Sequence, residues 1–491
     1  MFYTKNKFYF KNMLINQNKW SSIFTLFLFI VGITLPFILV NYVHYYYTND
    51  VATFRGWAEC LEKFSQQIYL KCLPTPPNYP VVGLFLSAGT IQAIKSVFNV
   101  TDNKTIDFIF RHYLAFFDLF NFILFTRLAS LMRFRLPIFV GLILLMVPST
   151  LVGGAIWGQI DGISLTFCLL ATIGFFKSWL SNDVDSLEQS KWKSVSWLLF
   201  GTLNLVIFIL IKQLSLFSLP FFFILIGITG YKLWKKFRYS SLFSAAIASS
   251  IFILFFHYLD SLLAVPKHFK NSSLWFVLTG GGSRHAEIIS GNGFNIWMFL
   301  GRNMISSSRA PFPLLWERKA LNVVPYYAGM ILYGILMTFL VLTGFRISWQ
   351  VLKWSGTKQR YNPEVFLLAC LCFFFGLSQL GFNVLLTGTH ERYLYLGYPF
   401  LLIAVTWFYV NKVAFKMRSL IFCFFAASAY GFFVFAWMNA PLPGILFPMR
   451  RHEFLASIHL FLLVILLEKW VQVWRYSEMT RKAKAQIKVS V

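Results

Sequence analysis

The sequence predicts an all-α polytopic membrane protein of about 12 transmembrane helices, and three observations predict it. Hydrophobic residues fill 57% of the 491 positions, charged residues only 13%, and mean hydropathy is +0.63. Apolar runs of roughly 20 residues, the length a helix needs to cross the hydrocarbon, recur between charged or turn-rich breaks. The formal charge of +26 is spread unevenly over the segments between those runs. A basic nucleic-acid binder would carry its excess charge on a charge-rich soluble surface, so no nucleic-acid partner is expected; the apolar content also excludes disorder.

The first run, 23–43, follows Lys5, Lys7, Lys11 and Lys19. It is too long for the apolar part of a cleavable leader and lacks a small-residue cleavage site, so it reads as a span with its basic end in the cytoplasm. Further spans are expected at 107–132, 136–156, 161–180, 194–211, 213–231, 241–262, 325–345, 363–386, 393–411, 418–438 and 453–473. An even number of spans puts both termini in the cytoplasm. The segments then assigned to the cytoplasm are roughly threefold denser in Lys and Arg than those opposite, as the positive-inside rule demands. Short segments carry this bias: Lys232, Lys235, Lys236 and Arg238; Lys412, Lys416 and Arg418; and the tail from Arg475.

Two outer loops are long, 44–106 and 263–324, and with no separate soluble domain the whole of 1–491 reads as one membrane-embedded domain. Within the first loop, 80–98 is apolar but holds Gln92 and Lys95, and reads as an interfacial amphipathic helix. A crossing there would invert every later loop. Cys168, Cys370, Cys372 and Cys423 fall in expected spans as buried apolar groups. Cys60 and Cys72 share the first outer loop, where a disulfide forms if that side is oxidising.

The unusual polar clusters map to the outer face. Asp50 to Trp57 follows the first span, and Pro76-Pro77-Asn78-Tyr79-Pro80 lies later in the same loop. Gly158-Gln159-Ile160-Asp161 closes the junction of the third and fourth spans, and His390-Glu391-Arg392-Tyr393 joins the ninth and tenth. Asp161 at the mouth of an apolar span is costly enough to imply a function or a specific partner. Arg392 has the shape to grip a phosphate through paired donors, and His390 adds a donor or a proton. Lys212, in the tight turn before Gln213, is either a snorkelling anchor or a cation for an anionic ligand, and Arg55 and Arg284 are further cations on the same face. The glycines 280–282 read as a flexible loop or a phosphate cradle. Asp118, inside the second span, is expected to hydrogen-bond a neighbouring helix. Asp183-Val184-Asp185 has a metal-diphosphate spacing, yet no phosphate loop or βαβ pattern surrounds it, so it reads as a solvated acidic loop.

A carboxylate near the outer surface, with cations at the ends of several spans, suits sugar transfer from a lipid-linked phosphosugar. The lipid tail keeps the donor phosphate at the interface, where Arg and His offset the charge of the departing phosphate. The carboxylate takes the proton from an acceptor hydroxyl as it attacks the anomeric carbon, and a single displacement inverts the configuration.

On these residues the chain resembles the GT-C glycosyltransferases, the polytopic class that uses polyprenyl- or dolichyl-phosphate sugars. The Asp50–Trp57 segment resembles the acidic first-loop motif of that class, and the Pro76–Pro80 stretch with its following helix resembles its juxtamembrane helices. Gly158-Gln159-Ile160-Asp161 and His390-Glu391-Arg392-Tyr393 are most similar to bacterial relatives of the second mannosyltransferase of GPI-anchor synthesis. The resemblance implies Asp50 as general base, His390 and Arg392 on the donor phosphate, and Gln159, Asp161 and Glu391 around the sugar or acceptor. It also implies a polyprenyl- or dolichyl-phosphate hexose donor, mannose-like or glucose-like, and a lipid- or glycan-linked acceptor. No cofactor is required by it, and a single Asp in the first motif leaves a divalent metal open.

Other readings are a transporter or flippase of lipid-linked sugars, which would show discontinuous spans and an inverted repeat, and an oligosaccharide ligase. Three glycosylation sequons begin at Asn99, Asn103 and Asn271 on the expected outer side and would be usable in an ER lumen. The closer likeness to bacterial proteins favours a bacterial inner membrane.

Overall fold

The computed structural model describes residues 20–43, 49–64, 68–72, 76–180, 187–237, 288–289, 293–300, 307–316, 319–353, 362–389, 391–438 and 452–489, with scattered positions between 243 and 258. The chain is an all-α polytopic membrane protein. Among the described residues nine helices are long and apolar enough to cross a membrane, or ten if one bent pair is a single span.

Helix α1 (Trp20–Val43) is apolar on every side and leaves much of its surface exposed, as a lipid-facing span does. Helix α2 (Asn49–Phe64) carries Asp50 in its first turn. Helix α3 (Val81–Phe98) contains a π turn at Phe85–Gly89 and ends on left-handed Asn99. Expected as an interfacial helix, α3 is nonetheless apolar enough to count among the nine. Gly83 lies against the Ile211 carbonyl, where a Cβ would come within 1.9 Å, and the second half of the helix packs on α4 (Asn103–Leu131). A disulfide joins Cys60, in α2, to Cys72 in the segment that follows it. Asp102 caps α4, and the Thr105 hydroxyl and backbone N–H that it binds hold its carboxyl below the ordinary aspartate range.

The expected span 136–156 is broken: α5 (Pro137–Met146) and α6 (Pro148–Ile156) meet at 66°. Pro148 removes a backbone donor, and the second half ends in a π turn with Gly154 outside helical geometry. Helices α7 (Asp161–Leu180) and α8 (Leu187–Ile211) follow. The next span opens with a 3-10 turn, Gln213–Ser218, before α9 (Leu219–Phe237). Most of the expected span 241–262 lies outside the described residues, as do Asp183-Val184-Asp185, Asn271, the glycines 280–282 and Arg284.

The second long loop contains a hairpin that periodicity did not announce: β1 (Phe312–Trp316) pairs antiparallel with β2 (Lys319–Val323), Leu314 opposite Leu321. Then come α10 (Pro325–Leu352), α11 (Pro363–Leu385), α12 (Gly397–Val410), α13 (Met417–Met438) and α14 (His452–Val489). Helix α11 is buried from Val365 to Val384 and runs through the main core. A second core joins α2 and α3 to the near ends of α4, α7 and α8 through Phe54, Trp57, Tyr79, Phe110, Ile163 and Ile211. That second core fixes Asp50 beside the α6–α7 junction.

Candidate functional site

The junction between α6 and α7, Gly153 to Gly162, is the hub of the site. Its backbone is pinned from α4: Arg111 donates to the Ile156 carbonyl, the Ala155 N–H donates to the Asp118 carboxylate at 3.0 Å, and Asn121 donates to the Gly162 carbonyl at 3.0 Å. Asp118 thus makes the expected bond to a neighbouring helix. Gly154 lets that carboxylate approach; a Cβ there would sit 2.3 Å from an Asp118 oxygen. Tyr395, which follows the His390–Tyr393 segment by two residues, packs against Gly153 and turns its hydroxyl to Asp118.

Three side chains of the junction then point to other segments. Trp157 donates its indole N–H to Asp50 at 2.5 Å, across 107 positions of sequence. Gln159 accepts from the Tyr79 hydroxyl at 2.9 Å, and the Tyr79 carbonyl is itself held by the Tyr69 hydroxyl at 2.8 Å. Asp161 pairs with Lys212 at 2.5 Å, both about 4% exposed, and the Lys212 ammonium lies 5.4 Å from the Tyr79 ring. A buried carboxylate and ammonium need each other: the pair offsets a desolvation cost that either would meet alone. The remaining Asp161 oxygen and the Gln159 amide nitrogen are buried with no protein partner among the described residues, so the site keeps one acceptor and one donor beyond its own network.

Asp50, Gln159, Asp161 and Lys212 are therefore gathered in one place, with Tyr79 and Trp157 added to them. Lys212, left open between anchor and ligand cation, has its charge already matched by Asp161. Arg55 lies apart, paired with Asp107 at 3.2 Å and bonded to the Asn103 carbonyl at 3.3 Å. His390 and Arg284 lie outside the described residues, as do the side chains of Glu391 and Arg392; the backbone of Glu391–Leu394 is a 3-10 turn. It leads directly into Tyr395 and so runs up to the junction. The segment before it is fastened by Gly293 N–H to the Thr389 carbonyl at 2.8 Å and Gly388 N–H to the Ile289 carbonyl at 3.0 Å. Sequence reasoning passed over Tyr79, which stands inside the Pro76–Pro80 stretch, and Trp157, the residue before Gly158. Each is aromatic and reads as core until its polar tip finds a carboxylate or an amide.

No protein-family model matches the chain, and no curated protein matches it. Among solved structures, the crystal structure of ArnT from Cupriavidus metallidurans bound to undecaprenyl phosphate is similar over 94% of this chain and 78% of that one. The identity is 11% and the TM-score 0.47.

Proposed function

We propose that the chain is a GT-C-type glycosyltransferase that moves a hexose from a polyprenyl- or dolichyl-phosphate donor to an acceptor hydroxyl with inversion. The observation that carries this reading is the meeting of Asp50 with the Gly153–Gly162 junction, a carboxylate set beside buried polar groups that keep a spare donor and acceptor. Depth supports a lipid-borne substrate. Helix α12 starts beside the site, and Trp407 in its last turns donates to the Met132 carbonyl at the far end of α4. Its 14 residues cover about 21 Å, less than the ~30 Å of hydrocarbon, which fits a site recessed from one membrane surface. A donor whose tail lies in the bilayer reaches such a site sideways.

In this reading Asp50 accepts the proton of the acceptor hydroxyl as that oxygen attacks the anomeric carbon. The Trp157 indole orients the carboxylate. Gln159 and Asp161 address sugar hydroxyls, Glu391 lines the same pocket, and His390 and Arg392 receive the leaving lipid phosphate. A mannose-like sugar and a bacterial inner membrane follow from the family resemblance of the two central motifs. The test is transfer by the purified protein from a synthetic short-chain polyprenyl-phosphate hexose. Asp50→Asn should lower the rate by about 10²–10⁴ without changing the unfolding temperature; a fully active variant removes Asp50 from the role of base.

The broken α5–α6 helix favours a second reading, a transporter of lipid-linked sugars, because discontinuous spans line transport sites. Movement of intact donor across proteoliposome membranes, without cleavage of the sugar, would select it.

A further inference from the structure

At the end of α4 remote from Asn103 the described structure holds a second cavity, of about 480 Å³, to which the proposed chemistry assigns nothing. Its mouth is formed by Arg133 and Arg135, with Asn362 at the start of α11 and Asn411 after α12. Its wall is apolar: Leu136, Phe139 and Val410 are substantially exposed there. Neither arginine has a carboxylate partner among the described residues, and the nearby Glu364 is taken by Lys232.

The backbone adds an independent sign. Arg133 sits at φ 58°, in the left-handed position that ends α4, where its N–H bonds the Ser130 carbonyl. Lys412 holds the equivalent position after α12, at φ 57°. Glycine is the residue at ease there, and a side chain in its place is strained, so the turn that presents Arg133 to the cavity is a defined one. The turn that carries Arg133 is held in place by the Trp407 indole on the Met132 carbonyl at 3.1 Å.

We infer that this cavity binds one anionic phospholipid, its phosphodiester between Arg133 and Arg135 and its acyl chains along Phe139 and Val410. Cations above an exposed apolar wall match a charged head over hydrocarbon tails; a free anion would have no use for the wall. Basic pockets between spans take anionic lipid heads in this way. The inference is independent of the proposed transferase activity.

The test is native mass spectrometry of the full-length protein in detergent, with phosphatidylglycerol and phosphatidylcholine competing in equal amounts. Retention of phosphatidylglycerol in preference is expected. Arg135→Gln, an exposed change, should cut that preference about fivefold, and Arg133→Gly/Arg135→Gln about thirtyfold, one lipid-facing charge being lost in each step. Glycine suits φ 58°, so the double variant should unfold in phosphatidylcholine no earlier than the parent. Equal retention of the two lipids by the parent, an undiminished preference in either variant, or displacement of the lipid by millimolar inorganic phosphate would overturn the inference.

Discussion

Trp157 and Asp50 are joined by a hydrogen bond that helps to orient the carboxylate. Trp157→Phe keeps the ring and removes the donor. Loss of a hydrogen bond to a charged group costs about 1.5–3 kcal/mol, so kcat should fall about 10- to 100-fold with KM little changed, which steady-state transfer kinetics will read. Asp161 and Lys212 are a different case, because each neutralises the other in a buried place. Asp161→Leu or Lys212→Met alone should destabilise by about 3–5 kcal/mol, while the two together should cost less than the sum, measured as a double-mutant cycle in denaturant. The acid was legible in the sequence as an ionisable group at the mouth of an apolar run. Its partner was not, because Lys212 lies 51 positions away and only the packing of α7 against α8 brings the two ends together.

At the scale of elements, the clamp around the site is α2 and α3, and a covalent tie fastens the chain that leaves α2. The Cys60–Cys72 disulfide closes a loop of 12 residues, and removing a cross-link of that size should cost about 2–4 kcal/mol. Cys60→Ser/Cys72→Ser should therefore loosen α2 first, seen as faster amide exchange over Asn49–Phe64 than over α11. At the junction, Gly154→Ala must push the Asp118 carboxylate off the Ala155 N–H; the overpacking should cost about 1–3 kcal/mol and lower the unfolding temperature. Most helices were legible because an apolar run of span length admits little else. The exceptions have physical causes. Helix α14 runs from His452 to Val489, well past the expected end at 473. Its polar extension keeps helical contacts, Ser477 with Gln350 and Arg346 with Glu478, where hydropathy sees only a charged tail. The hairpin β1–β2 is two short strands of five residues, too short for alternation to be told from loop. Pro148 did stand in the sequence as the cause of the α5–α6 break; what an apolar run cannot show is that the two halves diverge.

For the molecule as a whole, the charge of +26 and the apolar surface describe two faces of one object. Cations cluster where spans end, and one end of α4 places two arginines on a cavity of about 480 Å³ while the other leads to a buried polar site. The proposed transfer from a lipid-borne phosphosugar would use that polarity, with the substrate arriving through the bilayer. The direct test is the anomeric configuration of the product formed from a short-chain polyprenyl-phosphate hexose of known configuration, read by NMR. A product inverted at the anomeric carbon, and absent with Asp50→Asn, is the result the account predicts. Retained configuration, or an inverted product still formed at the parent rate by Asp50→Asn, would contradict it.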